Sequence, residues 1–143
     1  MRRGLRGGYE LDDDPGRLDL DLVHDFLSRR AYWALGRSRE TVERSIAGSQ
    51  RVVGLYDRSG QVGFARVVSD GAVIAYLADV FVIEQHRGRG LGLELAREAI
   101  DGGPHRDLLW RLSTTGARGL YEKLGFSELV APPTLMGRRA AGA

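Results

Sequence analysis

The sequence predicts a mixed α/β sandwich, a central sheet flanked by helices. Three observations lead there. Arg51–Tyr56 and Val62–Val68 have strand-like composition on either side of Asp57-Arg58-Ser59-Gly60, a hairpin turn. Val73–Ile83 is an almost unbroken apolar run in which Asp79 is the only charge. A Gly-rich turn follows that run at once and opens an amphipathic helix, after which Leu108–Leu112 reads as another short strand.

The elements follow in chain order. Tyr9-Glu10-Leu11 reads as a first strand, ended by the turn cluster Asp12-Asp13-Asp14-Pro15-Gly16. Leu18, Leu22, Val23, Phe26 and Leu27 recur at helical spacing and predict a helix over about 19–29. A second helix is predicted over about 39–47, with Ser38 as its N-cap, Val42 and Ile46 on one face and Gly48 as its stop. The run Val73–Ile83 reads as a strand buried on both faces. Gly88–Ile100 is helical, with Leu91, Leu95 and Ala99 in one row and Gly102-Gly103-Pro104 at its end. Ala117–Leu124 is a short helix stopped by Gly125, and Phe126 and Thr134–Met136 suggest one or two final strands.

A length of 143 residues suits one domain, 1–143, with one core. The basic start Met1–Gly8 is followed by no apolar run, so it is read as a frayed beginning and not a secretory signal. Residues 139–143 are read as a flexible tail. Zero cysteines exclude disulfides and thiolate chemistry and fit a cytoplasmic protein. No stretch approaches about 20 apolar residues, so no membrane association is expected. Net charge is +2, and every basic residue except Lys123 is arginine. These arginines are mixed with 19 acidic residues and form no run interleaved with aromatics, so no nucleic-acid partner is expected.

The chemistry concentrates in Asp79–Gly92. A buried strand runs into a Gly-rich turn that opens a helix. A helix N-terminus offers unpaired N–H groups and about half a positive charge. Gly88, Gly90 and Gly92 let ligand oxygens approach, and Arg87 and Arg89 add charge. This is an anion site suited to a phosphate or pyrophosphate. The dinucleotide fingerprint fails because its third glycine position is Leu93, and a P-loop fails because the single lysine lies at position 123.

What remains is Gln85-x-x-Gly88-x-Gly90, which resembles the signature of the GNAT superfamily of N-acetyltransferases. A second feature stands about 30 residues on: Ala117-Arg118-Gly119-Leu120-Tyr121-Glu122-Lys123-Leu124-Gly125-Phe126 resembles the helix end of these enzymes. The resemblance implies a mostly antiparallel sheet of six or seven strands, splayed at its central strand and flanked by about four helices. It implies acetyl-coenzyme A as co-substrate and no metal.

It further implies roles for named residues. Val80, Phe81 and Val82 would pair with pantetheine through their backbones, and an N–H near Val82 would polarise the thioester carbonyl. The N–H groups of Arg87, Gly88, Arg89, Gly90, Leu91, Gly92 and Leu93 would hold the pyrophosphate. Thr114 stands where many relatives carry an asparagine that contacts the cofactor. Tyr121 matches the tyrosine that protonates the leaving thiolate. Asp79 is the candidate base for the incoming amine; the alternatives are an ion pair with Arg66 or another arginine, a surface position at the bulge, and a water chain in place of a side chain. Phe26, Tyr32, Trp33, Arg37 and Arg66 are expected to line the acceptor pocket, with Arg37 or Arg66 able to hold an acceptor carboxylate; the alternative is that Phe26 belongs to the core and Trp33 caps it. The expected function is acetyl transfer to a primary amine of a small molecule or amino acid by direct attack in a ternary complex, with a homodimer as an open option. The alternative is a non-catalytic acyl-CoA sensor or regulatory domain of the same fold.

Overall fold

A computed structural model describes residues 1–129 and 134–142. Its sheet consists of β1 (Arg2–Gly4), β2 (Glu10–Asp12), β3 (Arg51–Asp57), β4 (Gly60–Ser69), β5 (Ile74–Val82) and β6 (Leu109–Arg111), lying in chain order across six strands. Neighbours from β1 to β5 pair antiparallel, whereas β6 runs parallel to β5. A parallel neighbour requires a crossover, and α3 (Leu91–Asp101) supplies it.

Alternation along the strands sorts the core into two layers. Leu11, Val53, Leu55, Ala65, Val67, Ala75 and Leu77 face α3, where Leu91, Leu95, Ala96 and Ala99 meet them. On the other face Val52, Phe64 and Phe81 meet Val23, Phe26 and Leu27 of α1 (Leu20–Arg29) and Val42 of α2 (Arg39–Ala47). Asp19 caps α1 by accepting from the Leu22 N–H at 3.1 Å, and Ser38 caps α2 by accepting from the Thr41 N–H at 3.1 Å. The short helix α4 (Arg118–Glu122) packs on α3, where Leu120 comes within 3.4 Å of the space a Cβ would take at Gly92.

The predicted α/β class, the helices and the strands over 9–83 and 108–112 stand, with boundaries shifted by a few residues. Four expectations do not hold. Residues 2–4 are not frayed: they form edge strand β1, whose Arg2 and Arg3 pair with Glu10 and Glu98. The run Val73–Ile83 is not buried on both faces throughout, because Ile74 and Tyr76 are 43% and 41% exposed where α1 and α2 do not reach. Phe126 starts no strand. Its N–H donates to the Tyr121 carbonyl at 3.1 Å after Gly125 turns with φ +88°, and its ring packs edge-on against Tyr121. Thr134–Met136 form no strand either, and Leu135 and Met136 are exposed to solvent. Residues 139–142 carry no helix or strand, and residue 143 lies outside the described set.

Candidate active site

β5 pairs with β4 over Ala75–Ala78 and again at Phe81 and Val82, but with β6 only over Ile74–Tyr76. Beyond Tyr76 the two strands diverge. A cleft of about 490 Å³ opens between Leu77–Val80 on one side and Leu112–Ala117 with Tyr121 on the other. The expected splay is therefore present, and a bulge accompanies it. Phe64 pairs with Phe81 and Arg66 with Ala78, so Ala65 alone faces Asp79 and Val80. Asp79 takes up the extra length with φ +56°, the only non-glycine residue in the left-handed region among the described residues.

The bulge turns the Asp79 side chain into a nest of donors. Its carboxylate accepts from Trp33 Nε1 at 2.9 Å, Arg37 Nη1 at 2.8 Å and Arg66 Nε at 2.7 Å. Trp33 and Arg37 come from the loop after α1. Buried Ala31 and Ala34 pin that loop, and the Gly36 N–H donates to the Ser28 carbonyl at 2.9 Å. Burial pulls the Asp79 pKa upward, but the bonds and charges of Arg66, Trp33 and Arg37 outweigh it and hold the carboxyl below the ordinary carboxylate range. A carboxylate so held is a poor base for an alkylammonium of pKa about 10.4. Of the alternatives open for Asp79, the arginine pair is the one present, and the role of base is set aside.

Tyr121 lines the opposite wall of this cleft. Its residue is 8% exposed, and burial first, with the Tyr32 phenol second, pushes its pKa up to about 12. It stays a protonated donor at neutral pH. Thr114 lines the same wall, where its Oγ1 accepts from the Ala117 N–H at 3.1 Å just before α4. That bond leaves the hydroxyl hydrogen available to a ligand. Tyr32 reaches across and accepts from the Thr115 hydroxyl at 2.7 Å, bridging the two walls.

Of the five residues expected in the acceptor pocket, Tyr32, Trp33, Arg37 and Arg66 line the cleft. Phe26 does not: it is 6% exposed and stacks on Phe81 at 4.0 Å between ring centroids, inside the core. Phe81 also departs from expectation. The Ile83 N–H donates to the Val62 carbonyl at 2.9 Å, toward β4, whereas the Val82 carbonyl accepts from Arg87 Nε at 2.9 Å on the other side. Strand alternation then turns the backbone of Val80 and Val82 to the open edge and that of Phe81 to β4.

The strand ends in the Gly-rich turn. Gly88 and Gly90 adopt φ +79° and +76°, and a Cβ at either would meet nothing within 4 Å, so both face open space. Gly90 is the N-cap of α3 and has no side chain to cap it. Glu94 is the first residue to donate within the helix, to the Gly90 carbonyl at 3.2 Å. The N–H groups of Leu91, Gly92 and Leu93 are left at the helix mouth. A set of supports for this turn was not legible in the sequence. The Tyr9 hydroxyl lies 2.7 Å from His86 Nδ1 and accepts from Arg89 Nη1 at 3.2 Å, and Asp57 lies 3.6 Å from His86 Nε2. The only available signal was the aromatic residue opening the first predicted strand.

A larger hollow of about 780 Å³ shares Thr114 and Tyr121 as wall but extends toward Trp110 and Leu129, away from Asp79 and Trp33. Among the described residues no group of three or more acidic or histidine side chains is placed to hold a metal ion. No helix among them is long and apolar enough to cross a membrane.

An open strand edge, a bare helix mouth behind two left-handed glycines and a buried tyrosine facing that edge belong to the ends of β5 and α3 and to α4. Comparisons with known proteins identify the family. The family model of the acetyltransferase (GNAT) domain matches residues 48–128. A GNAT-family protein of Xanthomonas campestris pv. campestris, described as an acetyltransferase, is 37% identical in a solved structure, with 94% of each chain covered and a TM-score of 0.87. A protein of Gibberella zeae that bears an acetyltransferase name is 27% identical over 144 residues, 86% of this chain and 81% of that protein. A Deinococcus radiodurans structure at 24% identity and TM-score 0.73, covering 97% of this chain and 94% of its own, shares the fold. The chain belongs to the GNAT superfamily of acetyltransferases.

Proposed function

We propose that this protein transfers an acetyl group from acetyl-coenzyme A to a primary amine of a small molecule or amino acid, by direct attack within a ternary complex. The observation that carries this reading is the free edge of β5 opposite Tyr121, in one cleft with the acceptor-side aromatics. Pantetheine would run along the edge offered by Val80 and Val82. The pyrophosphate would sit on the N–H groups at the mouth of α3, with Arg87 and Arg89 beside it. Each charge-assisted bond there contributes about 1.5–3 kcal/mol.

The amine attacks the thioester carbonyl, whose oxygen takes up charge beside the strand-edge N–H groups. As the C–N bond forms, the C–S bond breaks, and Tyr121 donates its hydroxyl proton to the departing thiolate. A positioned acid of this kind contributes about 10²–10⁴-fold. The proton lost from the amine leaves through cleft water, because Asp79, the one acid lining the cleft among the described residues, is bonded to three donors. Incubation with acetyl-coenzyme A and a panel of primary amines tests the reading by release of free thiol. Tight acetyl-coenzyme A binding with no thiol release from any amine would favour the sensor alternative.

A further inference from the structure

The acceptor wall of the cleft carries two arginines against a single carboxylate. Arg37 and Arg66 both bond to Asp79, and the other described residues lining the cleft are uncharged at neutral pH. The cleft therefore holds an excess of one positive charge, partly withdrawn from water. Side-chain exposure is 22% for Arg37, 15% for Arg66 and 3% for Asp79. Each guanidinium has five N–H donors. Arg37 commits Nη1 to Asp79; Arg66 commits Nε to Asp79 and directs Nη1 toward Ser49 at 3.5 Å. Donors remain on both, held in a fixed plane by the shared aspartate. Both line the cleft, and a guanidinium can offer a carboxylate two N–H groups at once.

The excess charge also selects among amines. A polyamine or an extended cationic chain would bring further positive charge into a cleft that already has too much. An amine that carries its own carboxylate would neutralise it. Seating that carboxylate brings the cleft to neutrality and leaves proton loss from the ammonium to cleft water. Tyr32, Trp33 and Tyr76 add an aromatic wall, with Tyr32 and Trp33 packed edge-on at 5.1 Å between centroids.

We infer that the acceptor is an amine bearing a carboxylate, an amino acid in chemical class, whose carboxylate seats on Arg37 and Arg66 while its amino group faces the open edge of β5. The inference rests on the acetyl-transfer reading for the direction of the amine, but the carboxylate seat can be tested without it.

The test compares L-phenylalanine, L-phenylalaninamide and spermidine. Each is titrated by calorimetry into the protein loaded with coenzyme A, and each is separately assayed for thiol release from acetyl-coenzyme A. The acid is expected to bind roughly 10- to 100-fold more tightly than the amide, the worth of one charge-assisted bond, and spermidine more weakly than either. In Arg37→Gln the acid–amide difference is expected to shrink severalfold, with coenzyme A affinity in the same titration reporting whether the variant folds. If that variant does not fold, the wild-type comparison decides alone. Preference for the acid with thiol release supports the seat and the transfer together. Preference for the acid without thiol release upholds the seat and removes the transfer. Equal binding of acid and amide, preference for spermidine, or no binding of any of the three overturns the seat, even where another amine proves to be acetylated.

Discussion

The carboxylate of Asp79 accepts from Arg66 Nε at 2.7 Å, across the bulge that opens the sheet. One aspartate thus fixes a backbone irregularity and anchors a cationic wall. Removing its charge should be costly. Asp79→Asn keeps a residue tolerant of positive φ and isolates the electrostatic part. Breaking a fully buried ion pair costs about 3–5 kcal/mol; here the arginines reach solvent, so a loss of roughly 2 kcal/mol is expected. Urea unfolding at pH 7 measures it.

The same variant carries a pH signature. Asp79 has a lower pKa in the fold than in the open chain. Its contribution to stability is therefore full above the open-chain value, about 3.9, and is lost as the pH falls through the folded value. The stability gap between wild type and Asp79→Asn should be constant from pH 5 to 7 and close below about pH 4. With the Asp79 carboxylate bonded to three donors, the variant's activity profile between pH 6 and 9 is expected to keep the wild-type shape. Loss of an inflection in that range on substitution would restore Asp79 as a proton acceptor.

Tyr121→Phe removes one buried hydroxyl and leaves the ring against Phe126. Acetyl transfer should fall about 10²-fold or more in kcat with little change in KM for acetyl-coenzyme A. The wild-type profile should show no loss of activity from Tyr121 ionising below about pH 11, since its pKa stands at about 12. Undiminished kcat in the variant would assign the proton to solvent.

Tyr9→Phe tests the support beneath the Gly-rich turn. The lost hydroxyl touches both His86 and Arg89. KM for acetyl-coenzyme A should rise about 3- to 10-fold while kcat at saturation holds. An equal fall in kcat with KM unchanged would contradict a role confined to cofactor binding.

Sequence alone carried some of these parts and not others, for physical reasons. Ser38 with Val42 and Ile46 declared α2 because capping and helical spacing are local. Gly88 and Gly90 declared the turn for the same reason. Arg2–Gly4 did not look like a strand: an exposed basic triplet has no alternation, and its order comes from pairing with β2 and from Glu10 and Glu98. Phe126 looked like a strand start because an aromatic after a helix-stopping glycine is ambiguous until Tyr121 is seen beneath it. Asp79 was visible as the lone charge in an apolar run. Its fate depended on Trp33 and Arg37, more than 40 positions away and brought in by the turn after α1. Phe26 and Trp33 are both aromatics near the end of α1, and only packing against Phe81 separates the core residue from the cleft residue.

Gly90→Ala should cost about 1–2 kcal/mol of stability through backbone strain alone, since a Cβ there meets no neighbour and the residue holds φ +76°. A folded Gly90→Ala is the control for Gly90→Glu, which adds a negative charge at the helix mouth.

Calorimetric titration with acetyl-coenzyme A, beside ATP and NAD, puts the central claim to its most direct test. Acetyl-coenzyme A is expected to bind, ATP and NAD to bind at least tenfold more weakly, roughly the worth of a single charge-assisted bond, and Gly90→Glu to abolish the acetyl-coenzyme A signal while Gly90→Ala retains it. Absence of acetyl-coenzyme A binding to the wild-type protein, or undiminished binding to a folded Gly90→Glu, would contradict it.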